Sequence, residues 1–219
     1  AWRGRGSYLQ VASGTWDEYR ARLSKNFRQN LRKAHSRLRD DGHEARYEWL
    51  TGPAAHPDQL GTFLALESSG WKGRAGTAVG QEPRRLAMYH RLVANLHHRG
   101  WLEWHLMHVD NRTIAAHLAV RVGTSLVVLK IAYDEVFARY SPGTLLFEKT
   151  VERAYADVDT EEVNCLTDME WHKPWQMLSR DYFDCRYFPA TIVGATTGWL
   201  PRVASRALKH ISAGTVGPP

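Results

Sequence analysis

The chain has 219 residues, 43% hydrophobic and 24% charged, with nine Trp and nine Tyr, a composition that excludes an extended disordered chain because aromatic burial can offset ordering entropy. At roughly 100–200 residues per domain it points to one core with a tail, and the formal charge of +6 favours anionic partners without saying which. No stretch approaches the ~18 consecutive apolar residues of a membrane span and no leader opens the chain, so a cytoplasmic protein that leaves membranes alone is expected.

Residues 1–14 read as a lead-in, and the absence of an initiator Met suits a fragment of something longer. Thr15 and Glu18 have capping-box spacing, and the helix they open runs, with a break near Ser24, to a stop at Gly42. Eight Lys or Arg fall within 20–39: Arg20, Arg22, Lys25, Arg28, Arg32, Lys33, Arg37 and Arg39. Phe27, Leu31, Ala34 and Leu38 recur through them at helical spacing, so one face is apolar and the other basic. That basic face is either a solvated surface or a holder of phosphate or nucleic acid.

"HEARYEWL" alternates as a strand does, and a helix is expected over 57–69. "GWKGRAGTAVGQEP" is too rich in glycine for regular structure and lies between two helices, where a long loop is functional more often than filler. "EPRRLAMYHRLVANLHHRG" is a further amphipathic helix stopping at Gly100. The period then changes to two: "WLEWHLMHV" and "TIAAHLAVRV" flank the turn "DNR", and "SLVVLKIAY" completes a three-strand meander.

After the meander comes "YSPGTLLFEK", in which Pro142 and Gly143 precede an amphipathic helix. A helix start leaves N–H groups unpaired, here those of Gly143, Thr144 and Leu145, and its dipole favours an anion such as pyrophosphate. A plain turn is the competing reading. A short strand "EEVNCL", a helical or looped "EWHKPWQMLSRD" and a last strand "DCRYFPATIV" follow, then a C-terminal helix and frayed tail over 195–219. Cys165 and Cys185 lie in apolar or aromatic surroundings without metal-ligand spacing, so both are expected reduced and buried, and no metal is expected. The order of elements is that of an α+β protein around a mixed sheet.

Three stretches, "NFRQNLRKAHSRL", "ESSGWKGRAGTA" and "TIAAHLAVRVGTSLVVLKIAYDEVFARYSPGTLL", resemble the acetyltransferase family named for the cellulose-biosynthesis protein CelD/BcsL, a relative of the FemAB aminoacyltransferases within the GNAT superfamily. The resemblance covers about 16–175. It implies the GNAT fold, a mixed and mostly antiparallel sheet flanked by helices, as one domain over 15–194. It also implies an acyl-CoA donor, acetyl-CoA above all, whose pyrophosphate lies on the backbone turn of Arg139, Tyr140, Ser141, Pro142, Gly143, Thr144 and Leu145. Where the family often reads "GDEPYK", this chain reads "TDMEWHKPW", with Lys173 five positions after Asp168.

Acyl transfer to an amine by direct attack needs a base, a polarised carbonyl, a bound donor and a proton for the leaving thiolate. Backbone N–H groups over 129–132 are the expected polarisers. Asp168, Glu170 and His172 past a strand end are candidate bases, with Glu67 and His117 as further ones. Lys130, mid-strand, either contacts substrate or pairs with another group, and Tyr133 and Tyr140 are candidate proton donors. Glu67, Trp71, Lys72 and Lys173 are assigned to the acceptor, a small-molecule amine or amino sugar. Two other readings stand beside this one: aminoacyl transfer from charged tRNA, with the 20–39 helix on RNA phosphates, and an inactive GNAT-like binding module.

Overall fold

The computed structural model describes residues 2–184. These divide into a body of 5–181 and a second unit to which the described strand ends 2–4 and 182–184 belong. The chain opens with β1 (Trp2–Gln10), where the sequence reading has only a lead-in. Gly4 and Gly6 obscure its pattern, since glycine weakens a strand.

The Thr15 hydroxyl accepts from the Glu18 N–H at 3.3 Å and the Glu18 carboxylate accepts from the Thr15 N–H at 2.7 Å. This reciprocal cap starts α1 (Trp16–Arg22). Ser24 then caps α2 (Lys25–Asp40), its hydroxyl accepting from the Phe27 N–H. β2 (Ala45–Leu50) and α3 (Gln59–Ser69) follow. The glycine-rich stretch is more regular than expected: it holds α4 (Trp71–Arg74) and a 3-10 turn over Val79–Gln81 before α5 (Pro83–His98).

The meander is β3 (Leu102–Val109), β4 (Arg112–Val122) and β5 (Ser125–Tyr133). Asp110 and Asn111 both take positive φ in its first turn, the two-residue geometry that matches strand twist. A 3-10 segment over Glu135–Tyr140 leads to α6 (Pro142–Ala156). β6 (Glu162–Asn164), a 3-10 segment over Glu170–Trp175 and β7 (Leu178–Asp184) complete the described chain. The first four residues of β7, 178–181, are thus ones read from sequence as helical or looped. The expected last strand beyond Asp184, Cys185 and the 195–219 tail lie outside the described residues.

The sheet order is β2-β3-β4-β5-β6-β1-β7. β2 to β5 are antiparallel neighbours, β5 and β6 run parallel, and β6 pairs antiparallel with β1. One face is covered by α3 and α5, with Phe63, Leu60 and Val93 against Trp104 and Leu118. The other carries α1, α2 and α6 through Leu31, Phe147, Val151 and Leu145. Among the described residues no helix is long and apolar enough to cross a membrane.

Candidate active site

β5 pairs with β6 only from Ser125↔Glu162 to Val127↔Asn164. β6 then stops, while β5 continues to Tyr133 with its β6-facing edge unpaired. On its other edge the register slips between Leu118↔Lys130 and Ala119↔Val128, leaving Leu129 as the extra residue of a bulge, a device that re-aims strand groups beside functional sites. A cavity of about 220 Å³ opens between 128–131 of β5 and Cys165, Thr167 and Trp171, with Lys72 in its lining. The stretch over 129–132, where the sequence reading looks for carbonyl polarisers, thus has no β6 partner in the register of the two strands.

Ser141, the residue before α6, has φ 53°, and its side chain makes no capping bond. Left-handed backbone costs a non-glycine residue roughly 1–2 kcal/mol. Three free N–H groups were expected here, yet Thr144 and Leu145 both donate to the Ser141 carbonyl at 3.0 Å. Among the described residues Gly143 N–H has no backbone acceptor. A Cβ on Gly143 would lie 3.4 Å from Tyr133 Cδ1 and 3.8 Å from Ile131 Cγ2, ordinary van der Waals contact, so the helix start lies close against the end of β5 and has room for an alanine but little more on that side.

Lys130 does not merely emerge from the sheet. Its Nζ meets Glu67 Oε1 at 2.7 Å, Lys72 Nζ reaches the same oxygen at 3.3 Å, and the Val79 N–H donates to Glu67 Oε2 at 2.8 Å. Burial alone would raise the Glu67 pKa, but the Lys130 and Val79 hydrogen bonds and the two ammonium charges outweigh it and hold the carboxyl below its ordinary range. An ionised, fully engaged carboxylate is a poor general base. The Tyr89 ring lies 5.2 Å from Lys130 Nζ, and Glu67, Lys72 and Tyr133 line a smaller cavity of about 40 Å³.

The other candidates scatter. His117 is fully buried against Phe147 on the α6 face, opposite Ile131 in register. Burial, then the neighbouring His105, pushes its pKa well down, so it is a neutral core residue, and it is not in the cavity lining. Tyr140 donates its hydroxyl to Asp41 at 2.6 Å, and Arg139 pairs with Asp41 at 3.1 Å; both turn toward the end of α2. Glu170 and Lys173 pair with each other at 2.7 Å on the surface. Asp168 accepts from Ser7 Oγ at 3.0 Å and stays partly exposed, flanked by Thr167 and near Trp171, both in the cavity lining. His172 is buried, its pKa lowered by desolvation against an opposing effect of Asp168. Trp71 begins α4. Tyr133 stays 38% exposed at the end of β5.

Among the lining groups the sequence reading missed are Thr167 and Cys165, the latter treated there only as core. Burial pushes its thiol up to about 12, so it stays protonated at neutral pH. Among the described residues no group of three or more His, Cys, Asp or Glu is arranged to hold a metal ion.

Against known families, residues 25–173 match the acetyltransferase (GNAT) domain. No curated protein matches. Among solved structures, FemX superimposes with a TM-score of 0.58 at 13% identity, over 82% of this chain and 61% of its own. A conserved protein of unknown function from Bacteroides thetaiotaomicron superimposes at 0.51 with 14% identity, over 81% and 58%. The chain thus spans about three-fifths of each of these two structures. At such identities the likeness is one of fold.

Proposed function

Because the chain belongs to the acetyltransferase (GNAT) domain family, we propose that it is an N-acyltransferase moving an acyl group, acetyl in the simplest case, from acyl-CoA to the amine of a small molecule or amino sugar. Within that family we place it with the CelD/BcsL type, beside the FemAB enzymes. The observation that carries the reading is the parting of β5 from β6 at the Leu129 bulge, next to an uncapped helix start.

Acyl-CoA supplies the activated thioester. Gly143 N–H and the positive end of α6 suit its pyrophosphate, and the open edge over 129–132 offers N–H groups to the carbonyl oxygen. Asp168 takes the proton lost by the attacking amine as the N–C bond forms. Tyr133 returns a proton to sulfur as the C–S bond breaks. Lys130 and Lys72 both meet Glu67, and cationic groups in the cavity wall favour the neutral, nucleophilic form of the acceptor amine.

Calorimetric titration with acetyl-CoA tests this. Wild type is expected to bind, Gly143→Ala to bind more weakly, and Gly143→Glu to lose at least tenfold, with melting curves confirming that both variants fold. No heat from the folded wild type removes the acyl-CoA donor. Charged tRNA then becomes the donor to test.

A further inference from the structure

Among the described residues, seven buried side-chain N or O atoms have no hydrogen-bond partner, and four of them are Arg20 Nε, Arg28 Nε, Tyr47 Oη and Trp49 Nε1. All four belong to α1, α2 and β2, on the sheet face that also carries α6; β2 is the edge strand farthest from the β5–β6 opening, while α1 and the start of α2 pack toward β1 and β6. A buried donor left unpaired costs ~1–3 kcal/mol, so such a concentration asks for an acceptor. Arg20 and Arg28 line one cavity of about 250 Å³ together with Arg32, Ala21 and Asp17. A second, of about 500 Å³, is lined by His35, Arg39, Tyr47 and Lys149 among others.

The two cavities share a helix face. Arg28, Arg32, His35 and Arg39 follow one another at four-, three- and four-residue steps, a single stripe of α2, stretching about 16 Å at ~1.5 Å per residue. Two carboxylates stand here besides. Glu148 is already engaged by His35 at 2.7 Å with Arg20 at 4.0 Å, and Asp17 is the acid of the first cavity. Arg28 and Arg32 have no ion-pair partner among the described residues. Beside the stripe Tyr47 and Trp49 stack at 6.5 Å between ring centres, with Lys149 and Arg153 over them.

We propose that this groove binds a single-stranded nucleic acid, with Arg20, Arg28, Arg32 and Arg39 on successive phosphates and the Tyr47–Trp49 pair beside the bases. A lone phosphate would use only one end of so long a stripe. A flat lipid surface would not reach recessed Nε atoms, whereas a flexible strand can thread a cleft. A basic groove bordered by aromatic rings is the general form of such sites. The inference is independent of the acyl donor, because acetyl-CoA titration reports on the α6 start and not on this flank.

The test is fluorescence anisotropy with short labelled single-stranded RNA and DNA, from about 50 to 200 mM KCl. Arg28→Glu/Arg32→Glu is compared with Arg84→Glu/Arg91→Glu, the same charge change on α5 across the sheet. Binding is expected to weaken with salt at a log–log slope of about −2 to −3, near 0.7 per phosphate contacted. The groove variant should lose at least tenfold affinity and the α5 variant less than threefold, with acetyl-CoA titrations and melting curves of both reporting whether the fold survives. Equal losses in the two variants would overturn the site in favour of diffuse charge. So would capture of anionic phosphatidylserine vesicles without oligonucleotide binding, or no oligonucleotide binding at the lowest salt by folded protein.

Discussion

Glu67 and Glu103 are both buried, both held by two cations, and both ionised below the ordinary glutamate range, yet their surroundings differ. Glu103 meets Arg121 Nε at 2.6 Å, Arg153 at 3.2 Å and His105 Nε2 at 3.0 Å. Burial would raise its pKa, but hydrogen bonds and charge from His105 and Arg121 bring it to about 2. Burial also lowers the pKa of His105, so the imidazole gives Glu103 mainly a hydrogen bond and the guanidinium groups give the charge. Glu67 instead is met by two lysines and one backbone N–H, and Lys72 and Lys130 also line the cavity below the β5–β6 opening. Planar guanidinium groups fix a carboxylate in one geometry; ammonium groups on long stems do so less rigidly and stay available to a ligand. One cluster pins α6 to the sheet, while the other sets the charge of a cavity.

Substitutions should separate these roles. Glu103→Gln leaves Arg121 and Arg153 without their shared anion and is expected to destabilise the fold by about 3 kcal/mol, softened because both arginines reach solvent. Urea unfolding measures it, and the folded variant should keep its affinity for acetyl-CoA; a loss below ~1 kcal/mol would make this cluster as replaceable as a surface pair.

Acid sharpens the same contrast. A depressed folded pKa stabilises above the unfolded value and is lost as pH falls through the folded one. For Glu103 that window runs from 4.5 down to about 2, worth roughly 3 kcal/mol at ~1.4 kcal/mol per pH unit. Stability of the wild type measured across it should fall more steeply than that of Glu103→Gln. Parallel curves would deny Glu103 its depressed titration.

Glu67→Gln should cost less stability, about 1–2 kcal/mol, because the amide still offers an oxygen to Val79 N–H or Lys130. Its mark should be on catalysis, with kcat/KM for acyl transfer down about tenfold as Lys72 and Lys130 lose their common anchor. A variant with unchanged kinetics and a Glu103-sized stability loss would merge the two clusters into one structural class.

Much of this was legible in sequence wherever the decisive contacts are local. The Thr15–Glu18 cap, the Ser24 break and the Asp110–Asn111 turn each depend on residues within three or four positions, and the meander on strict alternation. β1 and β7 were not legible. Two glycines dilute the pattern of the first, and the second follows a Trp- and Pro-bearing 3-10 segment that gives no strand period. In the candidate site, the helix start at Pro142 and Gly143 and the need of Lys130 for a partner could be read in advance. That Lys130 meets Glu67, that His117 lies on the opposite face, and that Tyr140 is tied to Asp41 could not, because those contacts join residues far apart along the chain.

The amino-acid sequence by itself determined the kinds of element, most of their limits, the basic stripe on α2 and the start of α6 at Pro142, since capping, periodicity and turn chemistry are short-range interactions. Only the tertiary structure decided where β5 leaves β6, which residues line the gap, and which of two similar glutamates is bound by the lysines that line it. Those outcomes rest on β6 being three residues long and pairing with β1, and on a bulge set by register with a neighbouring strand. Strand pairing is a long-range choice whose energy no local pattern carries.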